Sequence, residues 1–202
     1  MKRLLLLILL LTPIASIFHS CRCPDIEAQY ITFSHSELRL RNLDNSGATA
    51  IESESLQINR NAYGIRLFLT REKDIVARAR QINSFFIQSA YAVSFECPPE
   101  YIFTARDSVV SIKIFAVNNF DDEYLAGSEI TSLFRIHPSF STIESVVASM
   151  WYTYENFLRE ELILNLLLMF PPTANSLHQF KVQVELSDGR ILEQYTTEVE
   201  LL

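Results

Sequence analysis

Only four glycines occur in 202 residues. That scarcity speaks against Gly-rich phosphate loops and against low-complexity linkers. Cysteine is limited to Cys21, Cys23 and Cys97, and tryptophan to Trp151. Positive charge is also short. Residues 1–20 hold Lys2 and Arg3; without them, 15 basic residues face 24 acidic ones, a net charge of −9. That balance argues against nucleic acid and against a polybasic grip on anionic lipid. The longest early apolar run, 4–11, stops at Thr12-Pro13. Even extended to Phe18 it is shorter than the roughly 20 residues that a bilayer span needs. There is no internal repeat. His35, His137 and His178 are scattered, without metal-ligand spacing such as His-Glu-x-x-His.

What is present begins with the leader. Lys2 and Arg3, the apolar run and a short segment ending in His19-Ser20-Cys21 read as a secretory signal peptide over 1–20. Ordinary cleavage wants small residues at the last and third-last positions before the cut. Phe18 defeats a cut after Ser20, and Pro13 one after Ala15. Phe18-His19-Ser20-Cys21 is similar to the lipobox of bacterial lipoproteins. Ser20 fits its small-residue position, while Phe18 replaces the usual Leu and His19 a small residue. Arg22 excludes Cys23 as the lipidated residue. Lipid attachment is therefore expected on Cys21, with 21–27 as a tether and 28–202 as a single domain.

With Cys21 acylated, Cys23 and Cys97 remain as a pair in an oxidising compartment. A bridge there would be worth roughly 4 kcal/mol by loop entropy. Two free thiols, with Cys97 a buried small hydrophobe, are the alternative.

The domain is rich enough in apolar residues, at 49%, to build a core. Ile31 and Phe33 share one face; Leu38 and Leu40 continue the alternation one residue out of phase, across Ser34-His35-Ser36. Residues 42–48 are turn chemistry. Leu56 and Ile58 mark a short strand. Tyr63, Ile65, Leu67 and Leu69 form a half-buried strand, and 71–82 reads as a loop or short helix. Tyr91, Val93 and Phe95 form another strand, ended by Pro98-Pro99. Val110, Ile112 and Ile114 share a face, opposite Phe115 and Val117.

Ser141-Thr142-Ile143-Glu144 has capping-box spacing, and the apolar period beyond it predicts a helix over about 142–159. Residues 162–170 suit a central strand. Phe180, Val182, Val184 and Leu186 alternate with Lys181, Gln183 and Glu185 before Asp188-Gly189, a tight type I′ hairpin signal. Residues 191–201 return as the last strand. The sum is a mostly β chain: an immunoglobulin-like β-sandwich of about eight strands with one helical insertion.

Several landmarks together resemble a family of uncharacterised single-domain envelope lipoproteins of Bacteroidetes. They are Cys21 with Cys23, Tyr63-Gly64-Ile65-Arg66-Leu67, and Ala90-Tyr91-Ala92 leading to Cys97. Residues 110–120 before Gly127-Ser128-Glu129-Ile130-Thr131, and 180–189, complete them. The resemblance implies an envelope lipoprotein of unknown function and brings no catalytic residues.

No residue set announces catalysis. Cys97 has neither a Gly-rich elbow nor a nearby base, and His178 reads as a surface residue at a strand start. Asp121-Asp122-Glu123 lacks the alternating ligands and glycine of a calcium loop. Tyr154 falls on the apolar stripe with Trp151 and Tyr152 close by, so core packing is preferred over a sugar platform. Glu160 and Glu161 would need a measured separation to be an acid and base pair. The expectation is a lipid-anchored envelope protein with a non-catalytic binding or assembly module, needing no cofactor or metal. It is expected at the outer membrane, periplasmic or surface-facing. Its partners are the membrane, through the anchor, and an envelope protein or glycan. The alternatives are a glycan-binding lipoprotein of an outer-membrane uptake system, or an envelope hydrolase with an unrecognised carboxylate site.

Overall fold

The computed structural model describes residues 29–75, 101–149, 161–173 and 176–202. The chain divides into two compact units, 1–31 with 75–103 and 32–74 with 104–202. Of the first, only 29–31, 75 and 101–103 are described, all of them strand residues. The expected leader, tether, strand at 91–95 and all three cysteines lie outside the described residues.

The described chain is a mostly β sandwich with a single helix as insertion. Eight strands have four residues or more: β1 (Gln29–Asp44), β4 (Tyr63–Ile75), β5 (Tyr101–Ala105), β6 (Val109–Ala116), β7 (Phe134–His137), β8 (Glu161–Leu168), β10 (Phe180–Leu186) and β11 (Ile191–Tyr195). Four shorter pieces are β2 (Ile51–Glu52), β3 (Gln57–Ile58), β9 (Ser176–His178) and β12 (Val199–Leu201). One sheet runs β2-β1-β4-β8-β7, with β5 also on β1; the others run β11-β10-β6 and β3-β12-β9.

The period-2 patterns decide which faces meet. Ile65, Leu67 and Leu69 of β4, Leu166 of β8, Val182 and Val184 of β10, and Val199 and Leu201 of β12 are fully buried in one cluster. Aromatic rings join sheet to sheet: Phe180 lies 5.3 Å from Tyr63 and 5.9 Å from Phe134. Gly64 is small because the strands are close. A Cβ there would stand 2.8 Å from Leu167 Cδ2 and 2.9 Å from the Leu166 carbonyl oxygen.

In β1 the phase change is real, yet one strand runs through it. Phe33 and His35 are buried at odd positions, Leu38 at an even one. β4 continues to Ile75 where a loop or short helix was expected from residue 71. Arg71 and Lys73 carry charge without breaking the extended backbone. In β6, Val110 is exposed rather than aligned with Ile112 and Ile114. The β10–β6 register slips between Glu185 and Leu186, so that Val109 takes the inward place.

The helix, α1 (Ile143–Ser149), is capped by Thr142 rather than by Ser141. Thr142 Oγ1 accepts from the Ser145 amide at 3.3 Å. The remainder of the expected helix, 150–159, lies outside the described residues. At the C-terminal hairpin the faces are as read: Phe180, Val182, Val184 and Leu186 in, Lys181, Gln183 and Glu185 out. The turn differs. Only Gly189 has positive φ, at 86°, and its amide donates to the Leu186 carbonyl at 2.9 Å. The Leu186 amide donates to the Arg190 carbonyl at 2.9 Å, which encloses three residues, 187–189, the geometry of a type I turn closed by a left-handed residue. The last strand also breaks at 196–198. Thr196 Oγ1 accepts from the Phe180 amide at 3.1 Å, and the chain then leaves to pair β12 in parallel with β3.

Candidate functional site

Most buried polar side chains are tied into the sandwich. Tyr63 Oη donates to Asn42 Oδ1 at 2.9 Å, and Asn42 Nδ2 donates to Thr197 Oγ1 at 2.9 Å. Thr131 Oγ1 accepts from the Ile114 amide at 3.0 Å and donates to Glu129 at 3.0 Å. Burial pushes the Tyr63 hydroxyl far above the ordinary phenol range.

One corner is built differently. It gathers around Phe33 of β1. Two positions on, His35 is 4% exposed, and its ring meets the Phe33 ring edge-on at 5.9 Å. Asp107, in the turn between β5 and β6, is 2% exposed and faces His35. Its carboxylate accepts the His35 amide at 3.1 Å and sits 2.6 Å from His35 Nδ1. Arg190, just past the hairpin turn, closes the group. It donates to Asp107 Oδ2 through Nη2, to the His35 carbonyl at 2.9 Å and to Asp188 at 2.6 Å. Three segments distant in sequence are thereby pinned together.

From β4, the Arg71 guanidinium lies over the Phe33 ring, 5.1 Å from its centre. Among the described residues, four buried side-chain atoms have no hydrogen-bond partner: Thr32 Oγ1, His35 Nε2, Arg71 Nε and Arg71 Nη1. Three of the four, on His35 and Arg71, belong to this corner; Thr32 precedes Phe33 on β1, where side chains alternate between the two faces, and the Tyr63 side of the same core is satisfied. Burial holds the His35 pKa below its ordinary value, against the pull of Asp107, and Arg71 and Arg190 add to the lowering. Burial also lowers the basicity of Arg71. With Nδ1–H donated to Asp107, neutral His35 presents the Nε2 lone pair; protonated, it presents a second donor.

The other sequence candidates fall elsewhere. Cys21, Cys23, Cys97, Trp151, Tyr152, Tyr154 and Glu160 lie outside the described residues. Glu161 pairs with Arg39 and accepts weakly from Thr70 at 3.4 Å. Asp121 Oδ1 accepts the amides of Glu123 and Tyr124 at 2.9 and 2.8 Å, folding its own loop. His178 is not a surface residue: it is 1% exposed, stacked 6.1 Å from Phe180, with Nε2 at 2.7 Å from Ser176 Oγ. The sequence marks His35 only as one of three scattered histidines, within the phase change at Ser34-His35-Ser36. The corner carries no local signal: apart from the bond of Arg190 to Asp188, Asp107 and Arg190 meet partners 72 to 155 residues away, and Arg71 meets Phe33 on another strand.

The fold and this corner define the chain as a β-sandwich domain with one helical insertion and a buried His35-Asp107 pair closed from outside by Arg190. A family model described as a domain of unknown function (DUF5034) matches residues 35–197, and the chain belongs to that family. The match takes in His35, Arg71, Asp107 and Arg190. No curated protein and no solved structure matches the chain.

Proposed function

We propose that this chain is an exported envelope lipoprotein of the Bacteroidetes kind, held at the outer membrane by lipid on Cys21, with a non-catalytic binding module as its globular part. The leader supports the anchoring half. Among the described residues, no helix is long and apolar enough to cross a membrane.

The observation that carries the binding half is the gathering of three of the four unpartnered atoms, on His35 and Arg71, around the Phe33 ring. Leaving buried donors and acceptors unpaired is costly, and folds concentrate that cost where a ligand uses it. The carboxylate at this corner does not stand free for acid-base work, since Asp107 is held by His35 and Arg190. The arrangement suits holding a ligand.

Anchoring is tested by growing cells with a clickable palmitate analogue. Wild type should take up label and sediment with membranes. Cys21→Ser should lose both. A Ser variant that keeps its leader and stays in the membrane pellet would refute the lipid anchor.

A further inference from the structure

We propose that the corner around Phe33 is a binding site for an anionic oxygen group, a carboxylate or phosphate carried by the ligand, with Arg71 as its cation. This rests on the binding reading above and names the chemistry of that ligand.

The argument is one of unspent capacity. Arg71 has five N–H donors and no acceptor, so the only partners that can satisfy Nε and Nη1 are acceptors. Carboxylate and phosphate oxygens are the strongest of these. The carboxylates of the cluster are already engaged: Asp107 with His35 and Arg190, Asp188 with Arg190. Arg71 is half-buried as a residue, and two of its guanidinium nitrogens are shielded from water. The Phe33 face beneath it fixes the guanidinium plane. The chain as a whole is acidic, at −7, so a general attraction for anions is not expected. An anion that binds does so at a local cation.

His35 makes the site proton-linked. The charged groups facing it are Asp107 from the β5–β6 turn, Arg190 from the β10–β11 hairpin and Arg71 from β4. An anion on Arg71 offsets one of the two cations that disfavour imidazolium. Binding therefore raises the His35 pKa, and by reciprocity affinity for the anion rises as pH falls.

The test uses the purified chain at constant ionic strength, with chloride as reference. Acetate and glucuronate probe a carboxylate, as on an acidic glycan. Inorganic phosphate and glycerol phosphate probe a phosphate, as on a lipid headgroup. One pair should raise the melting temperature by several degrees at saturation. In Arg71→Met, a variant of similar volume, the response should vanish. Without added anion Arg71→Met should melt at or above wild type, because an unpaired buried cation has been removed. A second readout needs no variant: the His35 ring signals in NMR should titrate at higher pH with the anion present.

The outcomes separate. No stabilisation by any of the four anions, or equal stabilisation of wild type and Arg71→Met, overturns the anion site. If Arg71→Met still melts at or above wild type in that case, the corner remains a binding site for another chemistry. A clearly lower melting point for Arg71→Met without anion makes Arg71 structural and sinks both readings.

Discussion

Tyr63 and Arg71 stand on the same strand, β4, and the fold treats them in opposite ways. The Tyr63 hydroxyl is enclosed and satisfied: it donates to Asn42, which in turn holds Thr197 beside the C-terminal strand. Arg71 is shielded in part, yet two of its nitrogens have no partner, and His35 Nε2 and Thr32 Oγ1 share that condition. Depth of burial does not separate the two regions, since His35 is as buried as most of the core. Satisfaction does. One end of the sandwich has settled its polar groups into a framework, and the other retains polar capacity beside a rigid Asp107 clamp. Stability is expected to reside in the first, and ligand recognition in the second.

The clamp gives the largest expected effect. Asp107 accepts from the His35 amide, lies against His35 Nδ1 and holds Arg190. Asp107→Ala leaves the buried His35 amide and ring N–H without their acceptor and removes the partner of the exposed Arg190, and each buried donor left unpaired costs about 1–3 kcal/mol. Chemical denaturation should show a loss of that order. A loss under about 1 kcal/mol would mean that the corner is not held rigidly, and the contrast with the Tyr63 end would weaken.

Next comes the framework itself. Tyr63→Phe keeps the ring packed on Phe180 and removes only the donor to Asn42 Oδ1. An acceptor left buried and unpaired costs about 1–3 kcal/mol. An unchanged melting temperature would show that the Asn42 link contributes nothing to stability.

The difference between the two regions also explains what could be read beforehand. Strand faces in 63–69 and 180–186 were legible because apolar alternation is a local signal with a single reading. The hairpin position was legible from Asp188-Gly189, but its type was not, since one positive φ or two is decided by the pairing of Leu186 with Arg190. The His35 corner was hidden for a stronger reason. Its members come from β1, β4, the β5–β6 turn and the last hairpin, and no spacing in the sequence joins them. Arg71 reads as the start of a loop or short helix because the charged run masks a strand that continues to Ile75. His178 reads as a surface residue because a polar side chain at a strand start looks exposed, whereas in the fold its ring clusters with those of Phe120 and Phe180.

Acid sharpens the comparison. His35 and His178 both have pKa values below the ordinary 6.5, each chiefly through burial. The unfolded chain therefore binds protons that the folded one refuses. Stability should be complete above about pH 6.5 and fall as pH drops below it toward the folded values. Melting scans across that window should show the decline, and His35→Gln and His178→Gln should each flatten it. The two sites differ in one respect: saturating anion should flatten the His35 contribution alone. A decline that is identical in wild type and both variants would place the titrating groups elsewhere.

The smallest effect is the most discriminating, because the same chemical change is made at both ends. Thr131 Oγ1 accepts the Ile114 amide and donates to Glu129, so Thr131→Val strands a buried amide and should cost about 1–3 kcal/mol. Thr32 Oγ1 is equally shielded and makes no such bond. In Thr32→Val a methyl takes the place of a hydroxyl whose desolvation was never repaid by a partner, and the shape is nearly kept. Stability should stay within about 0.5 kcal/mol of wild type or rise slightly. Valine is also the better strand former, which acts in the same direction. The paired measurement needs no ligand and no knowledge of one. If Thr32→Val destabilises as much as Thr131→Val, the Thr32 hydroxyl has a partner in the folded protein, and Thr32 leaves the set of unpartnered groups. If it is neutral while Thr131→Val is costly, the same side chain is structural at one end of the sandwich and unpartnered at the other.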